Sequence, residues 1–373
     1  MPKATPDAQA LIGAMLRRAI AGRVPLNGSI AMTHRCHLRC VHCYLGDERS
    51  PAPKDLKSGT PPESGELGTE FWLSVVDQAA EIGCLNLLMT GGEPLLRPDF
   101  ADVYERAKRR GMLVTVFTNG TLVDERTLSL FQALPPDLVE VTLYGASAEV
   151  YEGVTGVPGS FRRCLQAVDS LLTRGIRVGL KAVVLKDNQD QIREMRTMAS
   201  QRKVPFRLDP ALFPCRDGNM SPLEHRVSPA DAASLEADDE QALHGLARFY
   251  ERMRGLPPEK ALFACMAGLT SFHVDPAGTL LPCLMVTTHG FDLRQGSFRS
   301  GWEEVLPRFR EQPIVEGYEC HRCETRFVCG VCPAQFALET GSPYRKADYY
   351  CQLGEARLRT MAGIEQESGS GPD

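Results

Sequence analysis

Cys36-His37-Leu38-Arg39-Cys40-Val41-His42-Cys43, followed directly by Tyr44, gathers three thiols into one short loop. A cluster of four irons calls for four ligands, so a loop with three cysteines leaves one iron with a position open to a small molecule. His34, His37 and His42 also stand close enough in sequence for a tetrahedral zinc site of three sulfurs and one nitrogen, and the loop by itself leaves both metals open.

Working outward from the loop, the residues before it form a short apolar run, Ser29 to Thr33, which reads as a strand. Five further runs read the same way: Leu85 to Thr90, Leu113 to Thr118, Leu138 to Tyr144, Val178 to Val184 and Pro205 to Asp209. Helical patterns separate them. Thr69 caps one that carries Phe71, Val75, Ala79 and Ile82 and stops at Gly83; another, with Phe100, Val103, Tyr104 and Ala107, stops at Gly111; the Phe161 pattern stops at Gly175. Strands alternating with helices predict an α/β fold, a partial (β/α)6 TIM-like barrel with a parallel sheet. Such barrels place their chemistry at the C-terminal ends of the strands. The thiol loop follows strand one, Thr90-Gly91-Gly92-Glu93-Pro94 follows strand two, and Thr118-Asn119-Gly120-Thr121 follows strand three.

This set of motifs resembles the signature of the radical S-adenosylmethionine (radical SAM) enzymes. The resemblance implies that Cys36, Cys40 and Cys43 hold a [4Fe-4S] cluster whose open iron binds the methionyl amine and carboxylate of S-adenosyl-L-methionine. One electron then splits the sulfonium, and a deoxyadenosyl radical removes hydrogen from a substrate. It further implies cofactor-binding roles for Gly91, Gly92, Glu93 and Pro94, with the carboxylate and the glycine backbone on the methionyl amine, and for Asn119 and Thr142. Two departures stand out: strand four ends Thr142-Leu143-Tyr144-Gly145 where the family more often has Ser-Leu-Asp-Gly, and Thr155 stands before Gly156 where an arginine is common.

Strand alternation adds a reading of its own, because residues two apart share a face. Lys181 lies opposite Leu180 and Ala182, and Arg207 with Asp209 lies opposite Phe206 and Leu208. Ionisable groups on otherwise apolar strands cost free energy unless paired or facing a polar cavity. Lys181, Arg207 and Asp209 are therefore expected in a polar lumen, as candidate catalytic residues.

A second thiol set begins at Cys265 and runs through Cys283, Cys320, Cys323, Cys329 and Cys332 to Cys351. Its order resembles the SPASM extension of radical SAM enzymes, which carries two auxiliary [4Fe-4S] clusters, with one residue fewer than usual between Cys329 and Cys332. The resemblance implies one cluster on Cys320, Cys323, Cys329 and Cys351, and a nearer one on Cys265, Cys283 and Cys332 that is either open at one iron or closed by His273. A zinc ribbon over Cys320 to Cys332 is the alternative. Cys164, on an apolar helical stripe, and Cys84, beside a strand, read as core residues; Cys215 lies in a turn-rich loop.

A length of 373 residues with 43% hydrophobic content supports a full core and favours more than one domain. The expected divisions are a lead-in helix over 1–28, the barrel over 29–218, a helical linker over 219–262, the SPASM domain over 263–361 and a disordered tail over 362–373. A formal charge of -5 with no long run of one sign gives no sign of a nucleic-acid surface, and no apolar run approaches a membrane span. Thirteen cysteines without a secretory signal fit metal or redox chemistry in the cytoplasm better than a disulfide framework. By resemblance, the expected activity is radical modification of a ribosomally made peptide or a protein side chain, with a small-molecule dehydrogenase or maturase as the alternative and a zinc scaffold as a distant third. The expected partners are a precursor peptide, a flavodoxin or ferredoxin as reductant, and a separate protein that recognises the leader peptide, since 28 residues before strand one are too few for the domain that does this in relatives. Leu284, where sulfatase-oxidising relatives carry an aspartate, argues against their reaction.

Overall fold

A computed structural model describes residues 6–46 and 66–369. Six parallel strands stand side by side in chain order: β1 (Asn27–Ala31), β2 (Asn86–Thr90), β3 (Leu113–Thr118), β4 (Leu138–Thr142), β5 (Val178–Val183) and β6 (Phe206–Asp209). All six are the strands expected from the sequence, with ends shifted by a residue or two. The helices between them pack on one face: α2 (Thr69–Glu81), α3 (Phe100–Arg109), α4 (Glu125–Ala133), α5 (Ala148–Thr155), α6 (Ser160–Thr173) and α7 (Ile192–Gln201), after a leading α1 (Pro6–Gly22).

The period of two decides which residues make the core. Leu87 and Met89, Val114 and Val116, Val139 and Val141, and Leu180 and Ala182 turn toward the helices and are fully buried against Trp72, Tyr104, Phe131, Val168 and Met195. Cys84 and Cys164 belong to that core, as their apolar surroundings predict. The opposite face carries the polar members of each strand.

The C-terminal region does not stand apart from this sheet. β7 (Ser271–Val274) pairs in parallel with β1, and β8 (Thr279–Leu281) and β9 (Phe291–Asp292) follow antiparallel, extending one sheet to nine strands in the order β6-β5-β4-β3-β2-β1-β7-β8-β9. Phe272, Val274, Phe298 and Trp302 complete the same core, and the Trp302 indole donates to the Arg23 carbonyl at 2.6 Å. Four residues alternating around Phe272 and Val274 give a weak strand signal, and pairing with a strand more than 240 residues earlier leaves no local trace.

The linker expected over 219–262 contains two helices, α8 (Pro229–Ala237) and α9 (Glu240–Met253). Asp238 ends the first, and Asp239 caps the second, accepting from Ala242 N at 2.9 Å. α8 is tied to the last helix, Asp348–Gly369, by the bidentate pair of Arg357 with Glu236, both bonds 2.7 Å. That last helix runs past residue 362, where the sequence reading begins a disordered tail. Met361, buried against Leu243 and Val328, anchors the turns before it. Residues 1–5 of the expected lead-in and 370–373 of the expected tail lie outside the described residues.

Candidate active site

The thiol loop leaves the C-terminal end of β1 and is held on two sides by backbone. On one side Gly92 N donates to Thr33 O at 2.7 Å and Glu93 N to Arg35 O at 2.9 Å. A β-carbon on Gly91 would lie 2.4 Å from Thr33 O, and one on Gly92 2.3 Å from Arg35 O, so only glycines allow the approach. On the other side Arg39 N donates to Thr155 O at 2.7 Å and Val41 N to Val154 O at 3.1 Å. The Thr155-Gly156 departure thus falls where α5 ends against the loop. Below the loop, Arg216 N donates to Tyr44 O at 2.8 Å and the Cys215 thiol to Cys43 O at 3.3 Å.

The three thiols lie near Tyr144 at the end of β4, whose hydroxyl is raised well above its usual range by burial first and then by the charges of Cys40, Cys36 and Cys43. The loop histidines have other partners. His37 Nε2 meets Thr121 Oγ1 at 2.5 Å, and the His42 ring packs on Tyr144 with centroids 5.2 Å apart. Burial brings His34, His37 and His42 each down to about 4, so all three are neutral at pH 7. Among the described residues no group of three or more His, Cys, Asp or Glu converges as a single-ion site.

Glu93 is fully buried. Its Oε1 accepts from Thr118 Oγ1 at 2.8 Å and Leu95 N at 3.1 Å, and its Oε2 from Asn119 N at 2.8 Å. These bonds join the loops after β2 and β3 through the buried carboxylate. Burial lifts its carboxyl to about 7 against the hydrogen bonds that lower it. Pro94 is buried and opens a short helical turn, Pro94–Leu96, that Glu93 caps. Thr142, also buried, pairs in register with Lys181.

Lys181, Arg207 and Asp209 do share the non-helical face of the sheet, with Glu140 between them. Arg207 binds Glu140 through Nε at 3.1 Å and Nη2 at 2.8 Å, Lys181 Nζ lies 3.6 Å from Glu140 Oε2, and Asp209 lies 4.0 Å from Arg207. Lys181 Nζ also sits 3.3 Å from the Phe117 ring centroid. Desolvation lowers its pKa to about 8, with Glu140 opposing. Glu140 and Phe117 were missing from the predicted site. An acid flanked by Val139 and Val141 carries the same signal that singles out Lys181 between Leu180 and Ala182. Also unforeseen is the clamp under the loop, where Arg97 holds Asp99 at 2.6 and 2.8 Å and donates to Met32 O at 3.1 Å.

The C-terminal thiols fall into two sets. Burial first, then neighbouring Cys351 and Cys323, raise Cys320; burial, then Cys323, Cys351 and Cys320, push Cys329 up to about 12. Burial, then Cys332 and Cys265, push Cys283 up to about 11. A β-carbon on Gly354 would lie 2.7 Å from Cys329 Cβ, so this glycine lets the last helix bring Cys351 close. Cys283 and Cys332, together with Cys320 of the first set, pack on a small core around Phe263 and Phe309. His273, the other candidate for the nearer set, stands on the sheet. It lies fully buried on β7 with Nδ1 2.7 Å from Ser29 Oγ, and burial first, then Arg216 and His34, lower its pKa to about 3.

The Radical SAM superfamily model matches residues 30–199. An AdoMet-dependent heme synthase of Methanosarcina barkeri (strain Fusaro / DSM 804) is 27% identical over 86% of this chain and 94% of its own. A PqqA peptide cyclase of Granulibacter bethesdensis is 29% identical over 94% of this chain and 93% of its own. Among solved structures, Streptococcus suis SuiB bound to precursor peptide SuiA superposes with a TM-score of 0.68 at 16% identity, covering 95% of this chain and 82% of that one. That likeness speaks to the fold. Among the described residues, no helix is long and apolar enough to cross a membrane.

Proposed function

Residues 30–199 form a radical SAM domain and the chain is an enzyme of that superfamily; from this premise we propose that it modifies a ribosomally made peptide by hydrogen abstraction in the lumen beneath the thiol loop. The observation that carries the reading is the loop of Cys36, Cys40 and Cys43, close to Tyr144 and held by backbone on a cradle that only Gly91 and Gly92 permit. When bound, a [4Fe-4S] cluster and S-adenosylmethionine supply a 5′-deoxyadenosyl radical. The chain's own residues hold and enclose them: the three thiols as ligands, the backbone of Gly91 and Gly92 beside the methionyl end, Thr142 on the lumen face, and Lys181, Arg207 and Asp209 toward the substrate.

The two C-terminal sets, Cys320, Cys323, Cys329 and Cys351 with Cys265, Cys283 and Cys332, have the donor chemistry for two auxiliary clusters. The first set is complete. A flavodoxin or ferredoxin in the cytoplasm would provide electrons, and a separate protein would present the leader peptide. A peptide substrate is favoured by the cyclase relative, which matches nearly end to end. The heme synthase relative matches over a similar span and supports action on a small molecule as the second reading.

Anaerobic incubation with reductant and S-adenosylmethionine is the test. Deoxyadenosine should form, about twelve irons per chain should load, and deuterium placed in a candidate peptide should appear in the nucleoside. Cys40→Ala cleaving the sulfonium as fast as the parent would overturn the assignment; deuterium arriving only from a tetrapyrrole would favour the second reading.

A further inference from the structure

Asn119 lies in the loop after β3, and its backbone N–H and both side-chain polar atoms have determined partners. Its backbone N donates to Glu93 Oε2 at 2.8 Å. Its Oδ1 accepts from Thr121 N at 2.9 Å and from Thr121 Oγ1 at 2.7 Å. A backbone N–H can only donate, so the amide cannot be flipped: the oxygen faces Thr121 and Nδ2 faces the other way. There it meets Cys36 Sγ at 3.9 Å, a long contact that suits sulfur's size. The orientation extends one step further. Because the Thr121 hydroxyl proton goes to Asn119, Thr121 Oγ1 accepts from His37 Nε2, and the buried His37 Nδ1, left without a partner, is the nitrogen that carries no proton.

Resting on the assignment of Cys36 as a cluster ligand, we propose that Asn119 is a positioning residue for the metal centre: its side-chain amide donates to the Cys36 sulfur and raises the reduction potential of the cluster in the thiol loop. A thiolate that receives an N–H bond carries negative charge at lower cost, which favours the reduced state; hydrogen bonds to ligand sulfurs are among the factors that set such potentials. Resemblance puts Asn119 beside the cofactor, whereas its geometry directs the amide to the ligand. Glu93 and Thr121, which fix it from either side, make the donor rigid.

The test is a redox titration of the reconstituted holoprotein followed by electron paramagnetic resonance, using the signal that Cys40→Ala abolishes. Asn119→Leu should load as much iron as the parent and shift that signal to more negative potential. The expected size is about a tenfold change in the oxidised-to-reduced ratio at fixed poise, near 59 mV for one electron. Asn119→Ala, which removes the donor without adding a charge, should shift in the same direction and decides the matter if the leucine variant fails to fold. Parent-like potentials in the variants that load iron would overturn the hydrogen bond while leaving the enzyme class intact. If no signal depends on Cys40, the ligand assignment itself fails and the proposal fails with it, an outcome visible from the parent and Cys40→Ala without any Asn119 variant.

Discussion

At the residue scale, charges placed on a covered sheet face are what tie this chain to chemistry. Lys181 is held away from water by Phe117 and shares Glu140 with Arg207, an arrangement that a packing role alone does not require. Lys181→Met should lower peptide modification about tenfold or more while substrate-free deoxyadenosine formation stays unchanged; an equal loss in both assays would make Lys181 structural. Glu93 offers a pH-dependent prediction. Its carboxyl is raised from 4.5 to about 7 in the fold, so the folded state binds the proton more tightly, and its contribution to stability is full below 4.5 and lost as pH rises through 7. Relative to the parent, Glu93→Gln should therefore be most destabilised at low pH, with the deficit shrinking up to about pH 7; thermal melts at matched ionic strength read this, and a constant difference would refute it. Sequence alternation was enough to place Lys181, Arg207 and Asp209 on one face, because the period of a strand is local. It could not pair Lys181 with Glu140, because that contact depends on strand register.

At the scale of elements, loops grip one another by backbone. The two glycines after β2 exist because the carbonyls of Thr33 and Arg35 occupy the space a side chain would take. Gly92→Ala should cost about 1–3 kcal/mol and lower iron loading at the thiol loop, seen as loss of the Cys40-dependent signal with any iron on the C-terminal thiols unaffected. Full loading of that variant would count against the grip. These glycines were legible in the sequence only through resemblance, since a pair of glycines before Glu-Pro reads by itself as a turn. The division of α8 from α9 at Asp238-Asp239 is a case where capping chemistry overrode helical periodicity. The extra strand β7 was hidden for the opposite reason, its pattern being too short to distinguish from a loop.

At the scale of the molecule, the expected barrel and cysteine-rich domain are joined as one sheet, and further bonds cross between them. Arg226, in the linker, bridges the two: it donates to Leu212 O in the barrel at 2.8 Å and to Glu339 at 2.7 and 3.0 Å, and lies 4.4 Å from the Tyr349 ring. Probes in the barrel and in the C-terminal region should report one coincident unfolding transition in denaturant, and Trp302→Ala should lower its midpoint by the equivalent of about 3–5 kcal/mol. Two separated transitions would show that the halves fold apart. The placement of β1 bears on how such a protein ages. Hydrogen-bonded to β2 on one side and β7 on the other, it is an inner stave of the sheet, shielded from fraying at either rim. The loop destined for an oxygen-sensitive centre thus hangs from a part of the molecule that opens late, and damage by air should reach the inorganic core well before the polypeptide around it gives way.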